Sequence, residues 1–118
     1  MKQKVHSVSY LAKAEFEFKN GVYDLVALPC GAEVVKVSLE VVGSPIAGVV
    51  SVGFKDETQK NYFLTLEYER GKNAMSAKDY TATSNKVIVA EVKNANGDDT
   101  KGVLRVLYFL PSVIEVEY

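Results

Sequence analysis

Apolar and polar side chains alternate with a period of two along most of the chain. Residues 14–19 alternate strictly between apolar and charged types. Residues 33–42 repeat the pattern, with valines and a leucine on one side and Lys36, Ser38 and Glu40 on the other. This rhythm is typical of a β-strand with one buried and one solvated face. The segment 33–42 is therefore the clearest strand in the sequence.

Turn-forming residues separate the apolar segments. Asn20-Gly21 and Gly43-Ser44-Pro45 interrupt the first half of the chain. Asn96-Gly97 is the strongest hairpin signal, because Asn-Gly readily adopts the positive φ angles of tight turns. These boundaries predict eight or nine short strands, over residues 14–19, 22–28, 33–42, 49–54, 61–70, 78–83, 87–92, 103–110 and 113–118.

Two features depart from plain alternation. Gly53 lies inside the strand 49–54, where a glycine predicts a β-bulge or the close approach of another backbone. Residues 74–78, which follow a turn at Gly71-Lys72-Asn73, are predicted to form one helical turn.

The spacing of strands and turns predicts an all-β fold, an antiparallel sandwich or barrel that forms a single domain. No segment carries an apolar stripe of period 3.6 long enough for a crossover helix, which disfavours a parallel α/β fold. We divide the chain into an N-terminal arm, residues 1–13, and a sandwich domain, residues 14–118.

The length and composition agree with one globular domain. The 118 residues, 47% of them hydrophobic and 25% charged, suffice for a core without disulfides or a metal. The formal net charge of −1 gives no sign of general attraction to nucleic acid or to an anionic membrane. No apolar run has the length of a signal peptide or a membrane helix, so we expect the chain to fold in the cytoplasm.

Candidate catalytic groups are few. Cys30 is the single cysteine and is expected in a small buried space near a turn, because a nucleophilic thiol needs a base and the single histidine, His6, lies in the arm. The glutamates of the alternating strands, such as Glu15 and Glu17, are explained by solvation of the polar face. We predict no enzyme activity and no cofactor.

An oxygen-rich segment follows the strand 87–92. Asn94, Asn96, Asp98 and Asp99 resemble calcium ligands, but the glycine and the terminal glutamate of an EF-hand loop are absent. The segment is predicted to be a polar hairpin tip, and no metal is expected.

Several aromatic residues could serve a ligand instead of the core. Tyr62, Phe63, Tyr68 and Tyr80 could stack on nucleotide bases, but acidic residues alternate with them and core packing is predicted. A carbohydrate- or receptor-binding module remains an alternative, weakened by the absence of tryptophan. No nucleic acid, membrane or small-molecule partner is expected.

The two ends of the chain are the best candidates for contact with a partner protein. The arm combines basic and apolar residues and has no acidic residue, and the final strand is apolar up to the last residue. Such an arm can dock on a partner, and such a strand must be covered by its own sheet or by another chain. The candidate contact residues are Lys2, Lys4, Val5, His6, Val8, Tyr10, Leu11, Ile114, Val116 and Tyr118.

Three segments resemble small tailed-phage virion proteins of the head decoration (cement) type. Residues 23–41 contain an apolar-Asp-Leu segment, Leu-Pro-Cys-Gly-Ala, and a strand of alternating valines. Val52-Gly53 and the closing segment 103–109 also fit the pattern, which covers about residues 16–110. The arm and residues 111–118 lie outside it. The resemblance implies that the fold is a single antiparallel β-sandwich that is jelly-roll-like.

The resemblance implies a function. A protein of this type would be a non-enzymatic component of the virion, assembled in the host cytoplasm, that lies on the capsid surface and binds the major capsid protein. It would form homotrimers and would need no cofactor. A structural subunit of a tail or baseplate is a further alternative.

Overall fold

The computed structural model describes residues 1–43, 47–67, 72–96 and 100–117. This part of the chain contains eleven β-strands and no helix, which confirms the all-β prediction. The strands are β1 (Lys2–His6), β2 (Ser9–Glu17), β3 (Gly21–Leu28), β4 (Glu33–Val42), β5 (Ala47–Phe54), β6 (Leu64–Glu67), β7 (Asn73–Ser76), β8 (Tyr80–Thr81), β9 (Lys86–Asn96), β10 (Lys101–Phe109) and β11 (Val113–Glu117).

Two antiparallel sheets form the predicted sandwich. The first sheet has the strand order β2-β10-β4-β7, with β8 also paired to β4, and the second has the order β3-β9-β5-β6. The chain crosses repeatedly between the sheets, for example from β2 to β3 and from β9 to β10. A separate two-stranded ribbon, β1 with β11, belongs to neither sheet.

The core lies between the inward faces of the two sheets. The largest side chains that are fully buried come from the central strands β4, β5, β9 and β10 and from the end of β3; they are Leu28, Leu39, Ile88, Leu104, Val34, Val37, Val50, Val52, Val89, Val92 and Val106. Burial of one such aliphatic side chain contributes about 1.5–3 kcal/mol, so the core supplies the main stabilisation of the fold.

A bulge shifts the alternation of β4. Leu107 on β10 pairs with Lys36, whereas the next residue, Tyr108, pairs with Val34, so Val35 is left over on β4. The extra residue reverses the inward and outward positions. As a result Val34 is fully buried and Val35 is only half-buried, although uninterrupted alternation predicts Val35 on the buried side.

Gly53 makes the predicted close approach. A Cβ atom at this position would lie 2.7 Å from the carbonyl carbon of Lys60 and 2.8 Å from the amide nitrogens of Asn61 and Tyr62. The segment after β5 therefore crosses directly over Gly53. Only a residue without a side chain leaves room for that backbone.

Two strands were absent from the sequence-based prediction. Residues 73–76 form β7 instead of a helical turn, because pairing with β4 turns Ala74 toward the core and leaves Met75 exposed. Residues 2–6 form β1. The boundary predicted at residue 13 falls inside β2, which begins at Ser9 and pairs with β10 along its whole length. The structure places the change from ribbon to sandwich at residues 7 and 8.

The expectation that Cys30 is buried is wrong. Cys30 is exposed on the turn between β3 and β4, where its thiol donates to the carbonyl oxygen of Thr83 at 3.4 Å. The amide of Ala32 closes this turn on the carbonyl of Pro29, and Ala32 occupies the fully buried position. The sequence predicted the position of the turn correctly, but the small buried residue of this turn is Ala32 rather than Cys30.

Some predictions lie outside the described residues. These are the turns at Gly43-Ser44-Pro45 and Gly71, the Asn96-Gly97 hairpin with Asp98 and Asp99, the role of Tyr68, and the position of Tyr118. Asn94, at the near side of that hairpin, has a φ of 55°, the positive value that favours asparagine in turns.

We predict that Gly53→Ala lowers the free energy of unfolding by about 1–3 kcal/mol, because the added methyl group displaces the backbone of residues 60–62. Chemical denaturation measures this loss. Ser51→Ala, an outward-facing position on the same strand, is the matched control and should change stability by no more than about 0.5 kcal/mol. Equal stability of the two variants would show that the close approach carries no energetic constraint.

Candidate interaction surface

The ribbon of β1 and β11 has one charged and one apolar face. In an antiparallel pair, directly opposite residues point to the same side. Lys4 lies opposite Glu115, and the Nζ of Lys2 lies 3.9 Å from a carboxylate oxygen of the same glutamate. On the other face Val5 lies opposite Ile114, and these side chains are 38% and 58% exposed. The ribbon is therefore amphipathic, and its apolar face is open to solvent.

Two hydrogen bonds fix the ribbon to the sandwich. The Nδ1 atom of His6 lies 2.8 Å from the carbonyl oxygen of Leu110, and the amide of Leu110 donates to the carbonyl of Val8 at 2.8 Å. His6 is thus half-buried at the junction and orients the ribbon. The molecule measures 55 × 23 × 18 Å, and its two ends of chain lie together in this ribbon.

The ribbon has no packed layer of its own to stabilise its two strands. A lone two-stranded ribbon is marginally stable in water, because it has no second layer to cover its apolar face. Neither sheet extends beneath β1 and β11. A partner that covers Val5, Ile114 and Val116 would supply the missing layer.

The predicted residues next to the ribbon also lie on the surface. Val8 is exposed in the connection to β2, and Tyr10 is 52% exposed with its ring edge-on to Tyr108 at 5.9 Å. We call Val5, Ile114 and Val116, which share the apolar face of the ribbon, the ribbon surface. Leu11 is exposed on the outer face of the first sheet instead. Tyr118 lies outside the described residues.

Sequence analysis missed a second surface, on the outer face of the first sheet. Two adjoining depressions of about 440 and 250 Å³ share Lys36, Ser38 and Arg105. Leu11 and Leu107 line the smaller depression and Met75 lines the larger. Alternation predicted that Lys36 and Ser38 face outward, but only the strand register shows that they are neighbours of Arg105, Leu11, Leu107 and Met75.

The aromatic residues support core packing. Phe54 lies with its ring centroid 5.2 Å from Tyr62, 5.3 Å from Phe63 and 4.5 Å from Tyr80, and this cluster joins the core. A glycan-binding module predicts a row of exposed tyrosines. Of the tyrosines that the structure describes, Tyr10 is mostly exposed and the others are half-buried or buried. The glycan-binding alternative therefore lacks its expected feature.

One ion pair stands out near this cluster. The Nζ of Lys86 lies 2.6 Å from a carboxylate oxygen of Asp56. The hydrogen bond from Lys86, assisted by its charge, lowers the pKa of Asp56, and the same contact raises the pKa of Lys86. The pair ties the loop after β5 to the start of β9.

No described group of side chains forms a recognisable reaction centre. Within the described ranges, no three His, Cys, Asp or Glu residues are placed to hold a metal ion. Glu15, Glu17 and Glu115 are exposed, as solvation of the polar strand faces predicts. The described part of the chain contains no helix of the length and apolarity that a bilayer crossing requires.

Comparison with solved structures shows the class of protein. No family model and no curated protein matches the chain. A chain in the acidic stable capsid structure of Helicobacter pylori bacteriophage KHP30 is 75% identical, covers 100% of both chains and has a TM-score of 0.93. The chain belongs to the family of phage capsid proteins that this KHP30 chain represents.

A more distant structure shares the fold of this virion protein. A chain in the capsid asymmetric unit of cyanophage Pam1 is 19% identical, with a TM-score of 0.68 over 87% of this chain and 85% of that chain. Both matches are to phage capsid structures, so the prediction of a bacteriophage virion structural protein is confirmed. Capsid proteins are generally not enzymes, and the absence of enzyme activity stays a prediction.

We predict that the carboxyl group of Asp56 titrates below the range of an ordinary aspartate and moves upward in Lys86→Met. Because the folded-state pKa is lowered, the ion pair stabilises the fold above the ordinary pKa, and this contribution is lost as the pH falls through the folded value. Carbon-13 NMR of the side-chain carboxyl measures both midpoints. Identical midpoints in the two proteins would contradict the pairing.

Proposed function

We propose that this virion protein is a capsid decoration (cement) protein that binds and stabilises the shell of the major capsid protein. In this proposal it lies on the capsid surface after assembly in the host cytoplasm. The single observation that supports this role best is that apolar side chains of the ribbon surface are exposed to solvent, on a ribbon that belongs to neither sheet of the sandwich. A partner protein fits such a face better than a small molecule does.

The ribbon surface meets the shell in this proposal. Val5, Ile114 and Val116 provide the apolar centre of the contact, as apolar residues commonly do in protein interfaces. Lys2 and Lys4 lie on the opposite, charged face of the ribbon, away from this centre. His6 positions the ribbon rather than contacting the shell, because its ring is engaged with Leu110.

The regular arrangement of a shell makes a modest contact sufficient. The ribbon surface is small compared with a standard interface, which buries about 800 Å² on each partner. When copies are linked to one another, the binding of the first raises the effective concentration of the next at its site. We propose that the copies are linked as homotrimers, as the resemblance to decoration proteins implies.

We predict that Ile114→Asp weakens binding to shells that lack this protein by about tenfold or more, because a carboxylate would be buried in the centre of the contact. Purified protein is titrated onto the shells, and occupancy is measured after sedimentation. Val22→Asp is the matched control: Val22 is 46% exposed on the edge strand β3, far from the ribbon in the fold. Point substitution is preferable to deletion of residues 1–12, which also removes the start of β2.

The control should bind as the unaltered protein does. If the unaltered protein does not bind shells but sediments with tails or baseplates, the decoration role is wrong. If Ile114→Asp and Val22→Asp bind equally well, the role stands and the ribbon is not the contact.

We also predict a solution mass three times the chain mass of 13.0 kDa, measured by light scattering. A trimer has the symmetry expected of a protein that joins shell subunits around a threefold point. A larger ring would favour the tail or baseplate alternative, and a monomer would contradict the trimer.

A further inference from the structure

Positive charge is concentrated near the middle of the outer face of the first sheet. Lys13 on β2 lies directly opposite Arg105 on β10, and Lys36 on β4 lies one row further toward the ribbon, opposite Leu107. Like charges placed directly opposite one another on a sheet are destabilising. The fold nevertheless holds three cations close together. An outward position needs only a polar residue, so solvation of this face does not by itself explain why all three are cations.

The carboxylates on this face balance these cations only in part. Glu15 lies opposite Val103, one row from Lys13 and Arg105. Arg105 contacts Glu40 at 3.3 Å, with both side chains about two-fifths exposed. Within the described ranges, Lys13 and Lys36 make no ion pair. The local excess of positive charge is thus available to an external carboxylate, and Arg105 can bind a carboxylate in a planar, two-point geometry.

The same area has the shape of a trough. The two adjoining depressions run across four strands, from Leu11 on β2 past Arg105 and Lys36 to Met75 on β7. Three strand spacings make a length of about 14 Å, which fits roughly four extended residues. Exposed aliphatic side chains lie at both ends and cations lie in the middle. We call Leu11, Lys36, Ser38, Met75, Arg105 and Leu107 the outer trough.

We infer that the outer trough binds a short extended segment of the shell subunit, with a carboxylate at its centre and apolar residues on each side. This inference rests on the proposed shell binding and names a second contact for it. The carboxylate would lie between Lys36 and Arg105, and the apolar residues would cover Leu11 with Leu107 and Met75. Leu11 and Leu107 lie near the ends of β2 and β10 that lead into the ribbon, so one end of the trough lies toward the ribbon.

Lys36→Glu tests the trough without a threat to the fold. Lys36 is exposed, and the substitution relieves repulsion from Arg105, so the melting temperature should not fall. Lys93→Glu makes the same charge change on the outer face of the second sheet, where Lys93 is exposed on β9. Both variants and the unaltered protein are titrated onto shells that lack this protein, at low and high salt.

We expect Lys36→Glu to weaken shell binding by about tenfold at low salt and by less at high salt, with Lys93→Glu unchanged. Equal binding by all three proteins would overturn the trough while leaving the decoration role intact. Equal weakening by both variants would overturn it too, because it would show a general charge effect. If the unaltered protein does not bind the shells, the proposed function is wrong, and the inference about the trough, which rests on it, is wrong as well.

Cross-linking identifies the occupant directly. A photoreactive amino acid at Met75, which is 64% exposed, is activated on loaded shells, and the linked peptide is sequenced. The expected peptide comes from the shell subunit and contains an acidic residue flanked by apolar ones. A cross-link to a second copy of this chain, or to a basic segment, would overturn the inference.

Discussion

Burial of aliphatic side chains between two sheets is the interaction on which the rest of this molecule depends. The described part of the chain has no helix and a single free cysteine, so neither a helical layer nor an intrachain disulfide assists the core. The central strands β9 and β10 each pair on both sides, and their inward residues Ile88, Val92, Leu104 and Val106 are fully buried. Because these strands are fixed by the core, their outward residues are held in fixed positions as well. Arg105 and Leu107 are on the outward side of β10, whose inward residues Leu104 and Val106 are fully buried.

The period of two in the sequence predicted most of this arrangement. Strand 33–42 was found because its apolar residues repeat at every second position, and 103–110 was found as an apolar segment between a hairpin signal and Pro111. Gly53 was predicted to mark a bulge or a close approach because a glycine weakens a strand, and the structure shows the close approach. The bulge at Val35 was not predictable, since it depends on how β4 pairs with β10. The residues around Cys30 correctly predicted a turn with a small buried residue. Which residue of the turn is buried depends on the path of the whole turn, and that residue is Ala32 rather than Cys30.

The two candidate surfaces also differ in how far the sequence alone predicts them. The ribbon surface could be anticipated from residues 1–13 and 113–118, because apolar residues at chain ends need cover. That the two ends pair with each other was not anticipated, since no local signal links Val5 to Ile114 across the whole chain. The outer trough could not be predicted for a related reason. Lys13, Lys36 and Arg105 are far apart in the sequence, and only the strand register shows that they are neighbours. Local patterns determine which residues face outward, and long-range pairing determines which of them become neighbours.

The two surfaces have complementary physical properties. The ribbon surface is apolar and thinly supported, so its binding energy comes from burial, and a partner would also stabilise the ribbon itself. The outer trough is charged, so the proposed contact there would contribute more to the orientation and selection of a partner than to gross affinity. A flexible apolar contact alone would allow a decoration protein to dock in several rotations, and a charged contact alone would weaken at high salt. Because β2 and β10 lead from the trough toward the ribbon, the same two strands connect both proposed contacts to the core.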